Sequence, residues 1–268
     1  MSTSATGHPS AYFVPAGPDV YTPTVHTGGA WSDEDLHVSP VAGLLVHHME
    51  RWRRDHGEQD EKTVARITFD ILGRLVRDDI TLTTRVLRPG RTIELLETTA
   101  SMGGRDVLTA RTWLMSDQDT AGVADGEWEP LPHPDGLPEH ILTDTWPGGY
   151  IDSITMRAAG TSRPGRGRAW MNTDLALVDG EAVSSLASYV ALIDTANGIA
   201  VRQHPEEWMF PNLDLTIHLF RAPEGSWVGL DTTVAFGPTG QGLTSSVLHD
   251  VRGPVGTAQQ ILTVRRNG

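Results

Sequence analysis

The chain runs to 268 residues, which is enough for one large domain or two of roughly 100 to 200 residues each. Apolar residues make up 38% and charged residues 21%, proportions of soluble globular proteins that exclude the disordered and fibrous classes. A formal charge of -13 argues against nonspecific attraction to nucleic acid or anionic membrane, and the absence of cysteine removes disulfides, thiolate nucleophiles and zinc–cysteine sites.

The N-terminal MSTSATGHPS has neither a basic region nor an apolar stretch and reads as a loose tail, not as a signal peptide. The most apolar long segment, SLASYVALIDTANGIAV, contains Asp194 and many small residues. No stretch approaches the roughly 20 apolar residues that a membrane span needs, so a cytoplasmic protein without a span is expected. After an extended stretch comes a first helix. Ser39 can cap it, Pro40 suits its first turn, and Val41, Leu44, Leu45, His48 and Trp52 form one stripe, with Gly57 at its end. Strand-like runs follow at ARITFDIL, DDITLTTRVL, RTIELLETTA and DVLTARTWLM, where Ile80, Leu82 and Val86 share one parity.

The segment AGVADGEWEPLPHPDGLPEH, residues 121 to 140, is rich in Pro, Gly and acid and has no sustained period. It suggests an N-terminal unit over residues 1–120, a linker over 121–138 and a C-terminal unit over 139–268. The second unit repeats the pattern of the first. Strand-like YIDSITMRA and GRAWMNTDLAL precede a helix around EAVSSLASYVALIDTANG, and NLDLTIHLF, SWVGLDTTVAF, GLTSSVLHDV and GTAQQILTVR follow. Two helices, each followed by a meander of strands, imply an α+β fold of two tandem units in which a sheet wraps one long central helix.

Direct search finds no GxSxG elbow, no GxxxxGK[ST] phosphate loop, no HExxH pair and no EF-hand loop. His47 and His48 are adjacent on a helix and so about 100° apart around its axis, which prevents them from sharing a metal. Arginines cluster at Arg163, Arg166 and Arg168 and at Arg51, Arg53 and Arg54; both groups read first as solvated charge.

Polar side chains on apolar faces are more informative, because a buried polar group costs free energy unless partnered. Ala187, Ala191 and Asp194 lie at i, i+4 and i+7, so a carboxylate extends a stripe of small residues suited to close packing. It is read either as a functional group or as a structural acid bonded to backbone near Asn197 and Gly198. In the last strand Gln260 shares the parity of Ala258, Leu262 and Val264. In NLDLTIHLF, Thr216 falls on the polar parity, beside Asp214 and His218.

The segments ALIDTANG, NLDLT and EGSWV, and the final Gln260 followed five residues later by Arg265, resemble the thioesterase-like family of double-hotdog proteins related to type II acyl-CoA thioesterases. HVSPVAGLLVHHMER is similar to the first central helix of that family, with Val38 and Ser39 in place of its usual glycine pair after His37. The resemblance spans about Tyr21 to Arg265 and implies a double hotdog. It also implies hydrolysis of a fatty acyl-CoA to free acid and CoA by Asp-activated water, as part of lipid metabolism, with no metal and no cofactor. The catalytic positions it implies are Asp194, Thr216 and Gln260. For Thr216 the direction toward Asp194 comes from the resemblance alone. An enoyl-CoA hydratase of the same fold would need a GDxNPxH-like segment, which is absent. The alternative from another class is a catalytically weak acyl-thioester binding protein. The expected partner is an acyl-CoA, with homo-oligomers left open.

Overall fold

The computed structural model describes residues 10–32, 34–56 and 62–267; most of the expected N-terminal tail, and Gly57, lie outside them. Strands β1 (Ala11–Gly17) and β2 (Val20–Pro23) lead to helix α1 (Val38–Asp55). Then come β3 (Lys62–Ile71), β4 (Ile80–Arg88), β5 (Ile93–Met102) and β6 (Arg105–Ser116). Residues 117–138 contain one 3-10 turn, Ala121–Val123, and no strand or α-helix. Beyond them run β7 (Glu139–His140), α2 (Gly149–Asp152), β8 (Thr155–Ala158), β9 (Arg166–Asn172), β10 (Ala176–Val178), α3 (Ser185–Ile193) and α4 (Ala196–Ile199). The chain ends in β11 (Trp208–Met209), β12 (Asp214–Leu219), β13 (Val228–Phe236), β14 (Gln241–Asp250), β15 (Gly253–Thr263) and β16 (Arg265–Arg266).

Fourteen of these strands form one sheet in the order β10-β1-β2-β4-β5-β6-β3-β12-β15-β14-β13-β9-β8-β7. The two halves of that list mirror each other about the β3–β12 ladder, where Thr68 lies opposite Thr216, flanked by Ile67–Ile217 and Phe69–Leu215. The internal repeat is therefore a pseudo-two-fold that fuses both halves into one α+β sheet. A simple meander would pair β3 with β4. Instead β3 lies beside β6, and β12 likewise beside β15, because each is the strand that joins its half to the other.

Helix α1 buries Val41, Leu44, Leu45 and Met49 against β4 and β5, and α3 packs across it. The contact depends on small residues. A Cβ at Gly43 would lie 2.6 Å from the Ala191 Cβ and 2.8 Å from the Ala187 carbonyl, so the Ala187/Ala191 stripe packs almost backbone to backbone against α1.

Two expectations for the helices change. The cap of α1 is His37, whose Nδ1 accepts the Ser39 N–H at 3.1 Å, and Ser39 lies inside the first turn. The helix of the second half is not long: α3 stops at Ile193 and only the short α4 follows. Its end is set by side chains that take up the last backbone groups. The Asp194 N–H donates to Ser39 Oγ, the Thr195 hydroxyl donates to the Leu192 carbonyl, and the Tyr150 hydroxyl donates to the Ala191 carbonyl. Residues Tyr150–Asp152, expected as the start of a strand, lie in the short helix α2 (Gly149–Asp152), which brings Tyr150 there.

Candidate active site

Asp194 stands at the C-terminal end of α3, 6% exposed. Its Oδ1 accepts two amide donors, Gln260 Nε2 at 2.8 Å and Asn212 Nδ2 at 2.7 Å. Gln260 comes from the inner face of β15 and is itself 1% exposed. Asn212 sits just before β12, where its amide also donates to the Asp214 carbonyl. The other carboxylate oxygen, Oδ2, meets no hydrogen-bond donor among the described residues, and His37 Nδ1 lies 3.8 Å from it. One oxygen is thus fixed and the other left for a ligand.

Burial raises the Asp194 pKa from 3.8 to about 7 because the ionised form is desolvated, with the nearby Asp214 charge adding to the rise; the Asn212 and Gln260 hydrogen bonds pull in the opposite direction. The carboxyl is therefore poised near neutrality, where a general base is most effective. His37 is pushed down to about 3 by burial, so its ring is neutral and the 3.8 Å contact with Asp194 is not an ion pair. The imidazole stacks on Tyr150 with ring centroids 4.2 Å apart.

Two cavities meet at this point. One, of about 40 Å³, is walled by Trp31, Leu142, Trp146 and Ile151; the other, of about 160 Å³, is walled by Leu36, Ile71, Leu75 and Pro211. His37, Asp194, Asn212 and Trp31 line both. Trp31 packs edge-on against Trp146 and Phe210 at 4.9 and 5.3 Å. The larger cavity is mostly apolar with a few convergent polar groups, the usual form of a small-molecule site.

Of the three residues expected from the sequence, the structure brings Asp194 and Gln260 together and places Thr216 elsewhere. Thr216 pairs with Gln259 and Thr68 across its strand neighbours and shares their face, while Leu215, Ile217 and Gln260 face the core. The residue of this segment that reaches the carboxylate is Asn212, four positions earlier. Asn212 opens the alternating run on its polar parity, where a polar residue is ordinary, so periodicity gave no reason to select it.

The pseudo-two-fold locates the corresponding place in the other half. Asp194 lies ten residues after the α3 cap Ser184, as His47 does after the α1 cap His37, and Thr112 occupies the place of Gln260. His47 Nε2 is held at 2.8 Å by Glu181. The carboxylate–amide pair therefore occurs in only one of these two related places. The arginine cluster is largely committed, since Arg166 and Arg168 both hold Asp231, at 2.6 and 2.9 Å. Among the described residues no group of three or more His, Asp or Glu could hold a metal, and no helix is long and apolar enough to cross a membrane.

The fold is that of hotdog proteins. The chain aligns with a protein of unknown function with a hot dog fold from Alicyclobacillus acidocaldarius, at 12% identity and a TM-score of 0.73, over 97% of each chain. It also aligns with a protein of Novosphingobium aromaticivorans DSM 12444 proposed to be a thioesterase, at 19% identity and a TM-score of 0.69, over 94% of this chain and 98% of that one. A third is an acyl-CoA thioesterase II of Mycobacterium marinum, at 12% identity and a TM-score of 0.64, over 96% of each chain. At sequence level the chain belongs to the acyl-CoA thioesterase family: its residues 27–115 match the acyl-CoA thioesterase N-terminal domain and residues 125–264 the C-terminal domain. No curated protein matches it.

Proposed function

We propose that the protein hydrolyses an acyl-CoA to a free acid and CoA, with Asp194 as the general base. The observation that carries this reading is the asymmetry of one carboxylate. Oδ1 is held by Asn212 and Gln260, while Oδ2 has no donor among the described residues, and the group borders two cavities and has a pKa of about 7. Family membership supplies the substrate class.

A water at Oδ2 adds to the thioester carbonyl carbon while its proton passes to Asp194. The C=O electron pair moves onto oxygen. When the tetrahedral adduct collapses, the C–S bond breaks and the proton on Asp194 passes to the departing sulfur. Asn212 and Gln260 hold the carboxylate so that little reorganisation accompanies the proton transfer, and a positioned base contributes about 10²- to 10⁴-fold.

The test is thiol release from short, medium and long acyl-CoAs by the wild-type chain and Asp194→Asn. Turnover by the wild type and its loss in the variant, with the fold retained, is the expected result. Acyl-CoA binding without thiol release by the wild type would favour a binding protein.

A further inference from the structure

His37 is an unusual helix cap. Ser, Thr, Asp and Asn fill that position best, and imidazole has no special advantage there. Its Nδ1 lone pair is taken by the Ser39 N–H at 3.1 Å, so the proton of the neutral ring sits on Nε2. The ring is fixed by that bond and by stacking on Tyr150 at 4.2 Å, and the Tyr150 hydroxyl is in turn anchored on the Ala191 carbonyl at 2.8 Å. The one hydrogen bond of the ring among the described residues is that at Nδ1, and the ring lines both cavities beside Asp194. A helix N-terminus ordinarily offers its own N–H groups to an anion. At this end of α1 the Ser39 N–H is already engaged by His37, and Pro40 has none to offer.

Building on the hydrolytic reading above, we propose that His37 is a catalytic residue: its Nε2–H donates to the thioester carbonyl oxygen and carries the charge that develops there as water adds. The electron pair released from the C=O bond stays on that oxygen until the C–S bond breaks, and the imidazole keeps its proton throughout. Engagement of Nδ1 by a helix N-terminal amide polarises the ring toward a stronger Nε2–H donor, and a neutral imidazole so placed is a sound electrophile. Burial keeps the ring uncharged at working pH.

The experiment uses two substitutions and two readouts. Asn is a good cap, so His37→Asn keeps the Ser39 N–H satisfied and the helix intact while its amide falls short of the substrate. In His37→Gln a longer amide keeps a donor near the same place. We expect kcat to fall on the order of 10²- to 10³-fold in His37→Asn, with KM changed little and part of the loss recovered in His37→Gln. The second readout needs no turnover. The infrared carbonyl stretch of an acyl-CoA labelled with ¹³C at the carbonyl, bound to the Asp194→Asn chain, should lie below that of the free thioester. The shift should vanish when His37→Asn is added. Wild-type kcat in His37→Asn, or a carbonyl stretch indifferent to His37, overturns the proposal and leaves Asp194 as base. A His37-dependent carbonyl shift in a chain whose turnover survives Asp194→Asn supports His37 and overturns the role of Asp194. A chain that binds no acyl-CoA overturns both.

Discussion

Gln260 Nε2 donates to Asp194 Oδ1 at 2.8 Å, joining the last long strand to the end of α3. The adjacent Gln259 faces the opposite side of the sheet, opposite Thr216. The two glutamines should therefore be separable by mutation: Gln260→Ala should lower turnover and Gln259→Ala should leave it within about two-fold, because only the first touches the carboxylate.

Asn212 and Thr216 make a second such pair. Asn212→Ala removes a donor from Asp194 Oδ1 and is expected to reduce kcat on the order of ten-fold or more, in line with the roughly 1.4 kcal/mol per decade of a lost charge-assisted hydrogen bond. Thr216→Val, on the outer face, should leave kcat unchanged. Steady-state kinetics on both variants decides between the segment's two polar residues.

Asp194 also makes stability depend on pH. Its folded pKa of about 7 exceeds the 3.8 of an unperturbed Asp, so between these values the folded chain holds a proton that the unfolded chain has lost. Stability therefore declines as pH rises from about 4 to about 7 and stays lower above that. Asp194→Asn removes this cost, and denaturant melts at pH 8 should show the variant more stable by a few kcal/mol, the order set by about 1.4 kcal/mol for each decade in the acid constant. At pH 4 the difference should largely vanish.

His48 acts in the opposite direction. It is 2% exposed, neither ring nitrogen has a hydrogen-bond partner among the described residues, and burial pushes its pKa down to about 4, the Asp19 carboxylate 3.6 Å from Nδ1 offsetting part of the shift. The folded state thus binds fewer protons than the unfolded one between about 4 and 6.5, and stability falls as pH drops through that window. His48→Leu should raise stability by about 1–3 kcal/mol, the cost of an unsatisfied buried polar group, and should flatten the acid limb of the melting curve.

Gly43→Ala tests the helix contact beneath the site. In an exposed helix this change would stabilise by about 1 kcal/mol. Here the new Cβ would meet the Ala191 Cβ at 2.6 Å and the Ala187 carbonyl at 2.8 Å, so a loss of about 1–3 kcal/mol is expected instead. Adding Ala191→Gly should restore part of it, which a double-mutant cycle measures.

Asp194 and Gln260 were legible in the sequence because each interrupts an apolar face, and such an interruption needs a partner wherever it lies. Parity put Thr216 on the polar face, which it shares with Gln259 and Thr68; its direction toward Asp194 came from the resemblance alone. Asn212 shares the polar parity of NLDLTIHLF with Asp214, Thr216 and His218, so only the folded arrangement singles it out. The early stop of α3 was hidden for a related reason. ALIDTANG keeps its apolar period, and the helix ends because Ser39, Thr195 and Tyr150 take up its last backbone groups, two of these from distant segments. The repeat was visible as a recurring order of elements, but the pairing of β3 with β12 at its centre is nonlocal and leaves no local signal.

The most direct test is the pH dependence of thiol release from an acyl-CoA by the wild-type chain and by Asp194→Asn. Ionisation of Asp194 predicts that kcat/KM rises with pH, reaches half its limit near 7 and then levels off, and that the variant loses most turnover at every pH. A flat profile through neutrality, or an Asp194→Asn chain as active as the wild type, would contradict the assignment of this carboxylate as the base.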